Sequence, residues 1–168
     1  MKRIIFICLL AFNNITAQTL PEINVEPIAI SQGTESGFVM LIPNADINFV
    51  LKEWEAFTYG MFPPIAPGED QPRFPKTIER DAKANEYSTI DVYIPHLSQH
   101  TVDIYFTLTK VENNSIKPST KIAIAIDYGN DHFVEGSNFF QIEMIKHLLQ
   151  KFYIRMDANL NNPTKKSP

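Results

Sequence analysis

Between residues 86 and 128 apolar and polar side chains alternate with a period of two, and this constrains the fold more than any other feature. Ile90, Val92 and Ile94 alternate with Thr89, Asp91 and Tyr93. Val102, Ile104, Phe106 and Leu108 alternate with Asp103, Tyr105, Thr107 and Thr109, and Ile122, Ile124 and Ile126 with Lys121, Ala123, Ala125 and Asp127. A period of two sends successive side chains to opposite faces of a strand, so each segment belongs in a sheet with one apolar and one polar side. The segments are joined by "KANE" (83–86), "PHLSQH" (95–100) and "ENNSIKPS" (112–119), which read as turns. Strands are predicted at 76–82, 86–94, 100–111 and 120–128.

The remaining elements follow from other periods. Residues 22–31 and 37–42 are β-rich and separated by the turn-like "QGTES"; Pro27 marks the first as an edge strand or a bulged one. Ile47, Val50, Leu51, Trp54, Phe57 and Met61 recur at helical spacing, which predicts a helix over 44–59, capped by Asn44 or Asp46 and stopped by Gly60. Ile142, Ile145, Leu149, Phe152 and Met156 predict a second helix over 137–157, with Asn138 and Gln141 as a capping box. The order β-β-α-β-β-β-β-α lacks strand–helix alternation. It therefore reads as an α+β two-layer sandwich: a mostly antiparallel sheet of five to six strands, both helices on one face and the other face solvated.

The chain organisation is legible at its ends. Lys2 and Arg3 precede the nine-residue apolar run Ile4–Phe12, and a short polar stretch ends at Ala17. This is the anatomy of a cleaved secretory signal peptide, 1–17, too short to span a bilayer. A single domain is expected over 18–158, with the Pro-rich connection 62–76 inside it and a polar, flexible tail at 159–168. The product is expected to be exported, periplasmic or extracellular, with no transmembrane segment in the mature chain. Cys8, the one cysteine, leaves with the leader, so the mature domain is disulfide-free. Loss of Lys2 and Arg3 takes the net charge from −4 to −6. An acidic domain without a basic stripe argues against nucleic acid as a partner.

"TIDVYI" (89–94) and "TVDIYF" (101–106) read almost as one segment written twice. Two neighbouring strands facing one core produce this likeness without duplication. In an antiparallel pair, one even register sets Asp91 against Asp103, where like charges repel. The next sets Asp91 opposite Tyr105 and Tyr93 opposite Asp103, and this is the expected one. The two carboxylates would then be diagonal neighbours roughly 7–8 Å apart. That spacing suits two-carboxylate catalysis, but a general acid needs burial to raise its pKa, and a solvated face supplies none. Asp91, Tyr93, Asp103 and Tyr105 are therefore candidate binding residues, with no catalytic residue assigned. No cofactor and no metal site is expected: His96 and His100 bracket a loop, and "DYGNDHFVEG" (127–136) lacks the EF-hand pattern.

The segments "ADINFVLKEWEAF" (45–57), "EYSTIDVYIPHLSQHTVDIYFTLT" (86–109) and "FFQIEMIKHLL" (139–149), following a hydrophobic leader, resemble a family of short, uncharacterised exported proteins of Bacteroidota. The resemblance implies export and carries no activity, so no residue role comes with it. The function expected is a non-catalytic interaction module that binds an unknown protein or envelope component through the open sheet face or an edge strand. The alternative is a small-molecule binder or hydrolase with a pocket under 62–76.

Overall fold

The computed structural model describes residues 20–61, 78–82, 85–94, 97–112, 118–130 and 132–161. Residues 1–19, where the signal peptide is expected, the Pro-rich stretch 62–76 and residues 162–168 lie outside them. Along the chain run β1 (Ile23–Ile30), β2 (Gly33–Ile42), α1 (Ile47–Met61), β3 (Glu79–Asp81), β4 (Glu86–Val92), β5 (Val102–Val111), β6 (Ser119–Asp127) and α2 (Phe139–Asn161). The class is α+β. One sheet takes the strands in the order β1-β2-β6-β5-β4-β3, with every neighbouring pair antiparallel. Short connections allow β3 to β6 to join only as antiparallel neighbours. The segment containing α1 carries the chain to the far edge, so the meander returns and β6 closes against β2.

The inward residues of the alternating strands meet both helices in one core. Phe38, Met40, Ile104, Phe106, Ile122 and Ile124 share it with Val50, Trp54 and Phe57 of α1 and Ile145, Leu149, Phe152 and Met156 of α2, so the helices cover the same face. Trp54 is its centre: its ring lies 5.1 Å from Phe152 in a T-shaped contact, 5.5 Å from Phe106 and 6.0 Å from Phe57. Such pairs add roughly 0.5–1.5 kcal/mol each beyond the area they bury.

Both helix starts follow their capping chemistry. The Phe49 N–H donates to Asp46 Oδ1 at 2.8 Å, and the Gln141 N–H to Asn138 Oδ1 at 3.3 Å. The ends differ from expectation. Gly60 is helical rather than a stop, and Met61 is exposed instead of joining the stripe. α2 continues through Asn161, so residues 159–161 form its last turn. There the Asn159 side chain donates to Glu53 Oε2 of α1 at 2.7 Å.

The second face corrects the expectation of an open, solvated sheet. The turn expected over "QGTES" shrinks to Ser31 and Gln32, because Thr34, Glu35 and Ser36 extend β2 against Ala29, Ile28 and Pro27. The β1–β2 hairpin then curls over the outer face. Ile28 packs with Val39, Ala123 and Ala125, with Ile30 and Phe133 beside them. At the hairpin tip the Ser31 N–H and Oγ–H donate to the two oxygens of Glu86, at 2.8 and 2.7 Å. Glu86 lies on β4, so the tip crosses above β6 and β5 to reach it. Two small residues on β6 and a glycine on β2 make room. A Cβ at Gly37 would stand 2.5 Å from the Ile28 side chain.

Candidate functional site

Along the repeated strand the expected register is not formed: the pairing at Val92 follows the register that sets Asp91 toward Asp103, and the pairing upstream is offset from it by one residue. Ser88 pairs with Tyr105 and Thr89 with Ile104, yet Val92 pairs with Val102, so the register shifts between Thr89 and Val92. A β-bulge is the cause: extra backbone on one strand changes which face its residues address. Upstream of it Tyr87 and Thr89 turn inward. Tyr87 stacks on Phe106 at 5.4 Å and Thr89 is fully buried, where the alternation put Thr89 outside. Asp91 sits in the bulge at φ 57°, a left-handed conformation that Asp tolerates better than most residues.

The four candidate residues are brought together only in part. Asp91 and Asp103 meet, but through the backbone: the Asp91 N–H donates to Asp103 Oδ1 at 2.9 Å. Tyr105 stands opposite Ser88 and Ala125, not Asp91, and Asp103 stands opposite Asp127 on β6, not Tyr93. All four are half-buried rather than wet. The Asp–Tyr checkerboard is not formed, because one inserted residue defeats a register argument that assumes strict alternation.

A cluster of acids does gather on the outer face, and backbone donors take up much of it. Asp127 Oδ1 accepts the N–H groups of Gly129 and His132 at 2.8 and 2.9 Å, which builds the turn after β6. Asp127 thus serves a turn. Phe133 then pairs with Asp127 where β2 has curled away, and its ring lies 6.0 Å from that of Tyr105. The Tyr105 phenol is raised above its ordinary pKa first by burial and then by the charges of Asp103 and Asp127. A hydrogen bond with the Gln32 side chain opposes the shift. The outer face is therefore partly covered by the hairpin along a seam at Ile28, Val39, Ala123 and Ala125, rather than an open platform throughout.

Reading the sequence missed Glu86 and Ser31, which hold this seam. Nothing local marks them, since the contact spans 55 positions. Of the histidines, His100, His132 and His147 are exposed, and His96 lies outside the described residues. Among the described residues no three His, Cys, Asp or Glu side chains gather to hold a metal ion. The Pro-rich stretch, and with it any pocket beneath it, lies outside those residues too.

What remains open is the rim of the sheet. A cavity of ≈ 290 Å³ lies between Glu35 and Ser36 of β2 and the segment His132–Gly136. A larger groove of ≈ 650 Å³ runs beside the start of β1, lined by Leu20, Val39, Leu41, Lys121 and Tyr153 among others. Leu20 and Leu41 are 45% and 49% exposed there, which gives the groove an apolar floor open to solvent. The continuous apolar run "FVMLI" hid which of its members faces out. No helix among the described residues is long and apolar enough to cross a membrane. Comparison of the chain with protein-family models, with curated proteins and with solved structures finds no match in any of the three.

Proposed function

We propose that this chain is an exported interaction module without catalytic chemistry of its own, which recruits a protein or envelope component through the rim of its sheet. One observation carries the reading: β1, eight residues long, is the terminal strand of the sheet and borders the apolar groove at Leu20 and Leu41. An edge strand beside an apolar cavity supplies both main-chain hydrogen bonds and a side-chain pocket, the two components of strand-type recognition. The outer face supports it less well, since the hairpin occupies that face and Glu86, Asp103 and Asp127 are engaged with backbone donors. Export rests on the sequence pattern of residues 1–17, Lys2 and Arg3 before the apolar run Ile4–Phe12 and a small residue at Ala17.

The test is site-specific photocrosslinking of the tagged chain in the envelope of the cell that makes it. A crosslinker at Val25 or Leu41 is expected to give discrete adducts, and one at Lys151 on the outer side of α2 none. A crosslinker at Tyr105 separates the rim from the outer face. Absence of adducts at all three sheet positions would overturn the module reading. N-terminal sequencing of the mature product is expected to begin at Gln18; a retained leader would remove the export part.

A further inference from the structure

We propose that the first half of β1, Ile23–Glu26, accepts an extended strand of a partner protein that alternates apolar and basic residues, so that the sheet gains one more strand. This rests on the module reading above and names its site and the chemistry of its partner.

The register of the hairpin decides which backbone groups are free. Ile30 pairs with Gly33 across a two-residue connection, and only a pair that exchanges its own hydrogen bonds can close so short a turn. The alternate positions Asn24, Glu26 and Ile28 then also bond to β2. Ile23, Val25, Pro27 and Ala29 turn their backbone groups toward the free side. Pro27 agrees with this phase, since it has no N–H to give and stands where none is needed. Among the described residues the open ladder is thus the donors and acceptors of Ile23 and Val25. Pro27 ends it, and beyond Pro27 the strand bends over the outer face with the hairpin.

The two edges of the sheet are treated differently. The far edge, β3, is three residues long and entirely charged, Glu79-Arg80-Asp81, a common way of blocking strand addition. Among the described residues the start of β1 carries no such run of charges, and the Leu20–Leu41 groove lies beside it for an apolar side chain of the incoming strand. The acids that flank the open ladder are Glu22 and Glu26, and residues 20–46 contain no Lys, Arg or His, so Glu22 leaves this edge net negative even with Glu26 paired. The groove's Lys121 is already paired with Glu26 at 3.1 Å. A basic strand complements this edge. A second copy of the chain would set the same acids against each other, which disfavours self-pairing.

The experiment uses a short synthetic peptide alternating valine and lysine, its valine–glutamate counterpart, and the mature chain. Amide hydrogen exchange resolved by residue reads the site, and fluorescence anisotropy reads binding. The valine–lysine peptide is expected to slow exchange at Ile23 and Val25 by about tenfold or more, the occupancy that a peptide at ten times its Kd provides. The valine–glutamate peptide is expected to have no effect. Val25→Pro removes an outward N–H without touching the ladder to β2, and should abolish binding with near-ultraviolet circular dichroism unchanged. Glu22→Lys, at an exposed position before β1, keeps the test valid if Val25→Pro misfolds. It should weaken the valine–lysine peptide several-fold and admit the valine–glutamate one. Equal binding of both peptides, protection away from β1, or dimerisation through β1 in ultracentrifugation would overturn the proposal. Envelope adducts at Tyr105 without peptide binding would overturn this inference while leaving the module reading in place.

Discussion

Tyr128 is half-buried, its hydroxyl has no hydrogen-bond partner among the described residues, and burial pushes its pKa up to about 12. The folded chain therefore favours the neutral phenol. The stability this contributes is complete below the ordinary tyrosine value near 10 and is lost as the pH rises through about 12. Tyr105 and Tyr153 are shifted the same way, burial first in both. Tyr128→Phe is expected to leave stability at pH 7 unchanged or raise it by about 1 kcal/mol, since it deletes an unpaired hydroxyl. It should also flatten the loss between pH 10 and 12 in urea titrations. An alkaline slope identical to wild type would show that Tyr128 does not titrate as its burial requires. The opposite case is Glu86, which is paired and 3% exposed. Glu86→Ala removes the charged acceptor that both Ser31 hydrogen bonds share and should cost about 2–3 kcal/mol in chemical denaturation, while Ser31→Ala should cost about 1. Neither residue stands out in the sequence, because a seal between positions 55 apart leaves no periodic trace. The caps Asp46 and Asn138 were legible because their partners lie three residues on.

Each helix announced itself through a stripe that meets one core, and the errors were confined to its ends. The strands were legible where their alternation is strict, in β5 and β6, and misread where it breaks. In β4 the bulge leaves Tyr87 and Thr89 inward and Ile90 half-buried, so the sides read for Thr89 and Ile90 from the alternation did not hold. The hairpin was misread for another reason. Thr34 is exposed and Glu35 and Ser36 are only half-buried, so the three have the composition of a turn while forming a ladder. Its curl depends on Gly37 lying under Ile28. Gly37→Ala is expected to destabilise by about 1–3 kcal/mol, as overpacking does. Combining it with Ile28→Ala should recover part of that loss, a coupling readable in a double-mutant cycle. Strict additivity would mean that the two residues do not touch in solution.

At the level of the whole molecule, one core joins all the principal elements, and Trp54, the one tryptophan, stands at its centre with no exposed surface. Its fluorescence should be that of an apolar site and should change in a single transition coincident with far-ultraviolet circular dichroism. Separate transitions would mean that the hairpin or the helices unfold on their own. Phe152→Ala, which removes the edge-on partner of Trp54, is expected to cost about 3–5 kcal/mol. Local periods of two and 3.6 residues were enough to establish the number and order of elements, the class, the helix caps and which residues of β5 and β6 enter the core. These depend on neighbours along the chain. The bulge at Asp91, the hairpin folded over the outer face, the Glu86 seal and the open rim beside Leu20 and Leu41 came from contacts between distant segments. There packing and hydrogen-bond satisfaction, not propensity, choose the arrangement.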